Sequence, residues 1–190
     1  MASIENLLLA ADIERRILTD DSRGIVPPGV LLDTFIVSCR DNAEQVLSLS
    51  KSVLLSVNMK YREEWPSIHY WQSILPEEFI RRCTPEDNKE ISIVEENFSQ
   101  TLPEDGGIVI SNDDRWSLTG WLYWMDLNSP DARVWFWWDA VVLSPNIIRS
   151  TFFVMDWDYF WGAYRWLFMG CGAVDVEYEF DYNSRHDHVE

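Results

Sequence analysis

Residues 133–156 read RVWFWWDAVVLSPNIIRSTFFVMD, and this stretch decides the fold. Two runs rich in β-branched and aromatic residues, 133–143 and 147–156, are separated only by Ser144-Pro145-Asn146. Such residues suit a pleated, half-buried surface, and a gap this short joins antiparallel neighbours. The reading is a β-hairpin. Side chains alternate along a strand, so Trp135 and Trp137 share one face while Phe136 and Trp138 take the other. One face belongs to a core. The other is either covered by a helix or offered as a recognition surface, because Trp and Tyr make good interface anchors.

The texture on either side agrees. Upstream, runs 107–111 and 116–125 read as further strands, set off by turn-like Gly106-Gly107, Asn112-Asp113-Asp114 and Asn128-Ser129-Pro130-Asp131. Downstream, WDYFWGAYRWLFM (157–169) reads as a buried helix, with Asp156 or Asp158 as cap and Gly170 or Gly172 as stop. AVDVEYEFDY (173–182) alternates apolar with acidic residues, the pattern of an edge strand whose charged face blocks aggregation. Residues from Asn183 onward read as a flexible tail.

The first 90 residues differ. A helix is expected over 3–19, capped by Ser3, with Ile4, Leu7, Leu8, Ala11 and Leu18 on one face. Residues 21–31, with Pro27-Pro28-Gly29, form a loop. A second helix starts at Asp41 with Glu44 in capping-box spacing, and Val46, Leu49, Val53 and Val57 trace its apolar stripe towards Lys60. A short helix is expected over Pro76–Cys83, then a polar loop over 84–90. Helices first and a strand meander afterwards, with one late aromatic helix, predict one α+β domain: mainly helical over 1–90, mainly β over 91–182.

Charge narrows the function. The chain carries a formal net charge of −17, and residues 91–190 contribute −12 of it through 17 acids, 5 arginines and no lysine. A field of that sign repels nucleic acid and anionic membranes and attracts basic partners. Cys39, Cys83 and Cys171 are odd in number and widely spaced, which argues against a disulfide framework or cysteine zinc site and for free thiols in a reducing cytosol. The start, MASIENLLLAADIERR, is not a signal peptide, and no segment is apolar enough to span a membrane.

No phosphate loop, dinucleotide fingerprint or GxSxG elbow occurs, and no cofactor is implied. His69 reads as a partly buried, hydrogen-bonded histidine rather than a general base. His186-Asp187-His188 offers metal donors, but on a flexible tail they make no rigid site. Acid pairs are plentiful: Glu95/Glu96, Glu104/Asp105, Asp113/Asp114 and Asp156/Asp158. A hydrolase could use such a pair across an aromatic cleft, yet among 32 acids chance pairs are expected.

In general character, small, acidic, α+β and without catalytic signatures, the chain resembles bacterial immunity proteins of polymorphic toxin systems. The segment WGAYRWL (161–167) with the GCGA that follows at 170–173 is its most motif-like stretch, and it places no single family. The resemblance implies a non-enzymatic cytoplasmic protein that neutralises a cognate toxin, a nuclease being one candidate, by binding it. The expected contacts are Glu104, Asp105, Asp113, Asp114, Asp126, Asp131, Asp139, Glu177 and Glu179, with Trp121 or Trp138 as aromatic anchor. Two other expectations stand beside it: a hydrolase using paired carboxylates, and a self-associating structural protein.

Overall fold

The computed structural model of the chain describes residues 3–20, 30–85, 116–129, 133–156 and 159–186. In chain order these form α1 (Ile4–Asp20), β1 (Leu31–Ser38), α2 (Ala43–Asn58), α3 (Ile68–Ile74), α4 (Glu77–Arg82), α5 (Leu118–Met125), β2 (Trp135–Ser144), β3 (Ile147–Val154), α6 (Gly162–Gly170), β4 (Asp175–Tyr178) and α7 (Glu179–His186). The architecture is α+β. The strand expected over 107–111, with its flanking turns, lies outside the described residues, as do Pro130 and Asp131.

The hairpin forms as expected: β2 and β3 pair antiparallel around Pro145-Asn146. The sheet order is β2-β3-β1-β4, antiparallel throughout. Its centre is a strand the sequence reading passed over. Residues 31–38, LLDTFIVS, pair along their whole length with β3, from Leu31↔Val154 to Ser38↔Ile147. Pairing register assigns the faces. Phe35, Val37, Trp135, Trp137, Ile148, Phe152, Val154 and Val176 point to one side and are buried. On that side α6 stacks Phe168 on Trp137 (ring centroids 5.8 Å apart) and sets Tyr164 edge-on to Trp135 at 5.2 Å. The Tyr164 hydroxyl donates to Ser150 Oγ at 2.6 Å, giving both buried hydroxyls a partner.

α1 and α2 follow their expected spans, and α2 its expected stripe with Leu49 half-buried; the buried side of α1 is Leu7, Ala10, Ala11, Glu14 and Ile17, while Ile4, expected there, is 42% exposed and Leu8 and Leu18 are half-buried. Val46, Val53 and Val57 are fully buried. The capping box at Asp41 does not form: Asn42 is the N-cap and makes no side-chain cap bond, while Asp41 sits at φ 54°. The helix is capped from the hairpin instead, where Ala43 N–H donates to Pro145 O at 2.9 Å, just after Cys39 N–H donates to Asn146 O at 2.7 Å. A turn carbonyl thus satisfies one of the orphan donors of the first turn.

Three expectations are corrected. Residues 116–125 are not a strand: Leu118–Met125 is a helix, begun by Ser117, whose hydroxyl accepts from Gly120 N–H at 3.0 Å. Its buried residues, Leu118, Trp121, Leu122 and Met125, recur at i, i+3, i+4 and i+7. That 3.6-residue period outweighs an aromatic content that favours strands. The late helix starts at Gly162 with Trp161 as N-cap, so Asp156 does not cap it; Asp158 lies outside the described residues. Its end is as expected. Gly172 takes φ 109°, with Gly172 N–H on Met169 O at 3.0 Å and Ala173 N–H on Phe168 O at 2.9 Å, a Schellman arrangement. Finally, the strand expected over 173–182 is four residues long, at the sheet edge as foreseen. At Glu179 the chain turns into α7, which runs through the expected tail to His186 and leaves Phe180 80% exposed. Glu179 and Asp181 in its first turn favour the positive end of the helix dipole.

α1 is fastened to the sheet by a buried charge. Glu14 (0% exposed) pairs with Arg133 (3%) and accepts Trp137 N–H at 2.7 Å and Asn58 Nδ2–H at 2.7 Å. Arg133 lies over the rings of Trp135 (4.5 Å), Phe136 (4.7 Å) and Tyr61 (5.5 Å). A buried carboxylate holds its charge only when its lone pairs are occupied, and here three donors occupy them. Replacing Arg133 by Met strands that charge and is expected to cost about 3–5 kcal/mol, read by urea denaturation. The double replacement Glu14→Leu, Arg133→Met should recover part of the loss; a single Arg133→Met variant as stable as the parent would contradict this role.

Candidate functional site

β2 is the outer strand of the sheet and is bulged twice, between Trp137 and Asp139 and between Val142 and Ser144. Alternation carries Trp138 onto the second face of the sheet, where its ring meets Phe153 edge-on at 6.1 Å, and the bulge then turns Asp139, opposite Thr151, to that same face. Two concavities flank this segment. One, of about 380 Å³, runs along the outer edge of β2, with Ile17 of α1 and Lys51 of α2 facing Trp137–Val142. The other, shallower and about 220 Å³, lies on the second sheet face among Leu32, Thr34, Trp138, Asp139, Val141, Arg149 and Thr151. Phe136, Phe153 and Ile36 on the same face are buried, so the open part is local. Leu32 and Val141 remain 44% and 43% exposed there.

The expected contact residues separate into groups. Trp138 (9% exposed) and half-buried Asp139 are brought together at the bulge and border both concavities. Trp121 is fully buried, its indole N–H donating to Ala163 O at 3.0 Å, so it holds α5 to α6 and presents no surface. Asp126 ends α5 and accepts Asn128 N–H at 2.9 Å. Glu177 is on β4 at the opposite edge of the sheet but on the same face as Arg149, and Glu179, just after it, is paired at 2.8 Å with Arg149, which lines the shallower concavity. The neighbouring Asp175 is paired with Arg165 at 3.0 Å. Two arginines therefore partly neutralise the acidic face expected of 173–182. Glu104, Asp105, Asp113, Asp114 and Asp131 lie outside the described residues.

The ion pairs share one property: they consume the bases. Arg15, Lys60, Arg62, Arg81, Arg133, Arg149 and Arg165 each hold a carboxylate within the chain. Asp12 is shared by Arg62 and Arg15, and the hydrogen bond from Arg62 holds its carboxyl below the usual range. The acids left over carry the surplus.

A polar group the sequence reading missed lies at the start of β1. The Tyr159 hydroxyl donates to the Asp33 carboxylate and lies 3.2 Å from Tyr178 Oη, tying the segment before α6 to β1 and β4. Burial, and then the bond to Asp33, push the Tyr159 phenol well above its ordinary value. This arrangement favours the neutral phenol. His69, expected to be partly buried, is exposed on α3, a helix the sequence reading did not place. No cluster of three or more His, Cys, Asp or Glu suited to a metal ion occurs among the described residues. No helix among the described residues is long and apolar enough to cross a membrane. Compared with protein-family models, curated proteins and solved structures, the chain finds no match in any of the three.

Two titration experiments follow. Burial pushes the Cys39 thiol up to about 11 and the Cys171 thiol up to about 12. At about pH 8 a thiol-specific reagent should label half-buried Cys83 first and leave the other two until the chain unfolds. Rapid labelling of all three would contradict the packing. Burial also raises the phenols of Tyr61, Tyr159 and Tyr164 above the ordinary tyrosine value. A raised folded-state pKa means that the native chain keeps protons the unfolded chain has lost. Their stabilisation is thus complete below about pH 10 and declines as pH rises further. Alkaline unfolding should coincide with a cooperative rise in tyrosinate absorbance. A gradual rise near pH 10 that accounts for all seven tyrosines with the fold intact would contradict it.

Proposed function

We propose that the chain is an acidic binding protein that neutralises a basic partner, acting in the cytoplasm as the immunity protein of a cognate toxin and not as an enzyme. One observation carries the reading. The chain holds a net charge of −17 while seven of its basic side chains are engaged by its own carboxylates. What remains for a partner is a negative field, which speeds encounter with a basic surface and opposes nucleic acid and further copies of the chain. A nuclease, whose groove is built to hold phosphate, is a partner of matching chemistry. Trp138 beside Asp139 supplies an anchoring position next to open surface. The hydrolase reading draws less support: the fully buried acid, Glu14, is committed to Arg133, Asn58 and Trp137.

The test is growth rescue. The gene is co-expressed with any adjacent gene found to encode a protein with a basic C-terminal domain, and growth arrest caused by that domain should be relieved. With purified proteins, the association rate should fall by roughly tenfold or more between low and high salt. Failure to rescue, or an association indifferent to salt, would sink the reading.

A further inference from the structure

We propose that Cys83 and Cys171 form a modification site, at which a hydroperoxide joins the two sulfurs in a disulfide that fastens α4 to the end of α6.

The stretch Gly170-Cys171-Gly172-Ala173 plays no part in the binding surface, and its glycines make room for α4. A Cβ on Gly170 would lie 2.6 Å from the Phe79 ring, and one on Gly172 2.9 Å from the Arg82 guanidinium. Gly172 is required in any case by its positive φ. Gly170 is helical, where glycine costs about 1 kcal/mol against alanine, and the Phe79 ring supplies the reason for it. Side chains of α4 therefore rest on the backbone on both sides of Cys171. Cys83 follows Arg82 at once. Its Sγ lies 3.5 Å from Phe79 O, on the residue whose ring covers Gly170. The two thiols are near enough for charge on Cys83 to disfavour charge on Cys171. Cys39 follows β1, bonded through its N–H to the hairpin turn, and is the internal reference.

Exposure assigns the roles. Cys83 is half-buried and Cys171 is 3% exposed, so peroxide meets Cys83 first. The Cys83 thiolate attacks one peroxide oxygen. An S–O bond forms, the O–O bond breaks, and the second oxygen leaves as hydroxide, which takes up the thiol proton as water. Cys171 then gives up its proton and attacks the Cys83 sulfur. The S–S bond forms, the S–O bond breaks, and hydroxide leaves with that proton as a second water. Two thiols are oxidised to one disulfide, and one hydrogen peroxide is reduced to two waters. Burial opposes the Cys171 thiolate while the Arg82 guanidinium favours it, so the second step relies on position more than on acidity. A disulfide closes only when its two Cα atoms stand within about 7 Å, and bridge formation itself reports that approach.

The folded chain is treated with a small excess of hydrogen peroxide, denatured, alkylated and mapped by mass spectrometry. A Cys83–Cys171 peptide should appear with Cys39 alkylated, and a dithiol reductant should reverse it. In urea the same treatment should give mixed pairings that include Cys39. Cys83→Ser, at a half-buried position, should leave Cys171 reduced; Cys171→Ser should carry Cys83 on to sulfinic acid or to a bridge between chains. Three alkylated thiols in the parent would overturn the proposal. So would sulfinic acid at Cys83 with Cys171 reduced, or chain-to-chain bridges in place of the internal one. Equal yield of the Cys83–Cys171 bridge in urea would show that the fold does not pair them, and would overturn it too.

Discussion

One carboxylate sets the terms for the rest of the molecule. Glu14 is carried by α1, the first helix, and its charge is buried where the last third of the chain supplies Arg133 and the Trp137 amide. Burying that charge costs several kcal/mol unless every lone pair is met. The geometry that meets them fixes the height of α1 along the sheet, the start of β2 and the angle of Arg133 over its three aromatic neighbours. Asn58 at the end of α2 completes the set, donating also to Ala11 O at 2.9 Å. Three elements distant in sequence are thereby held at one point. Apolar packing alone would allow α1 to slide; a charge with specified partners does not.

That fastening also shapes the candidate site. Glu14 occupies the β2 edge at Trp137, and the bulge that follows at once brings Asp139 onto the same sheet face as Trp138. Trp138 and Asp139 are placed by this arrangement at the border of both concavities.

The sequence disclosed the parts whose signals are local. The hairpin of β2 and β3 was legible from two strand-forming runs around Ser144-Pro145-Asn146, and α2 from its valine stripe. The glycine end of α6 followed from Gly170 and Gly172. What stayed hidden depended on distant partners. β1 begins with exposed Leu31 and Leu32, and its identity comes from pairing with residues more than a hundred positions away. Residues 118–125 offered both strand composition and helix period, and only the packing of Trp121 against α6 decides between them. Glu14 did carry a signal, since it falls in helical register with Leu7, Ala11 and Ile17 on the buried side of α1. A charge in that stripe calls for a buried partner, although nothing local names Arg133. Of the candidate site, Trp138 and Asp139 were named from the sequence, and the fold sets them side by side. The site was not legible at Trp121, because the sequence does not say which of many aromatics the core will claim.

The central place of β1 has a consequence for how the chain is made. Its residues leave the ribosome early, but both of its neighbours, β3 and β4, are encoded after residue 146. At roughly 5–20 residues per second, Phe35, Ile36 and Val37 wait on the order of ten seconds for a partner strand. During that interval a strongly apolar strand has both edges open. Fusing a bulky, slowly folding domain to the C-terminus would not lengthen the wait, whereas a translational pause between residues 40 and 146 would. Such a pause extends the period in which nascent chains can pair with one another, and yield on overexpression would depend on codon choice in that interval more than elsewhere.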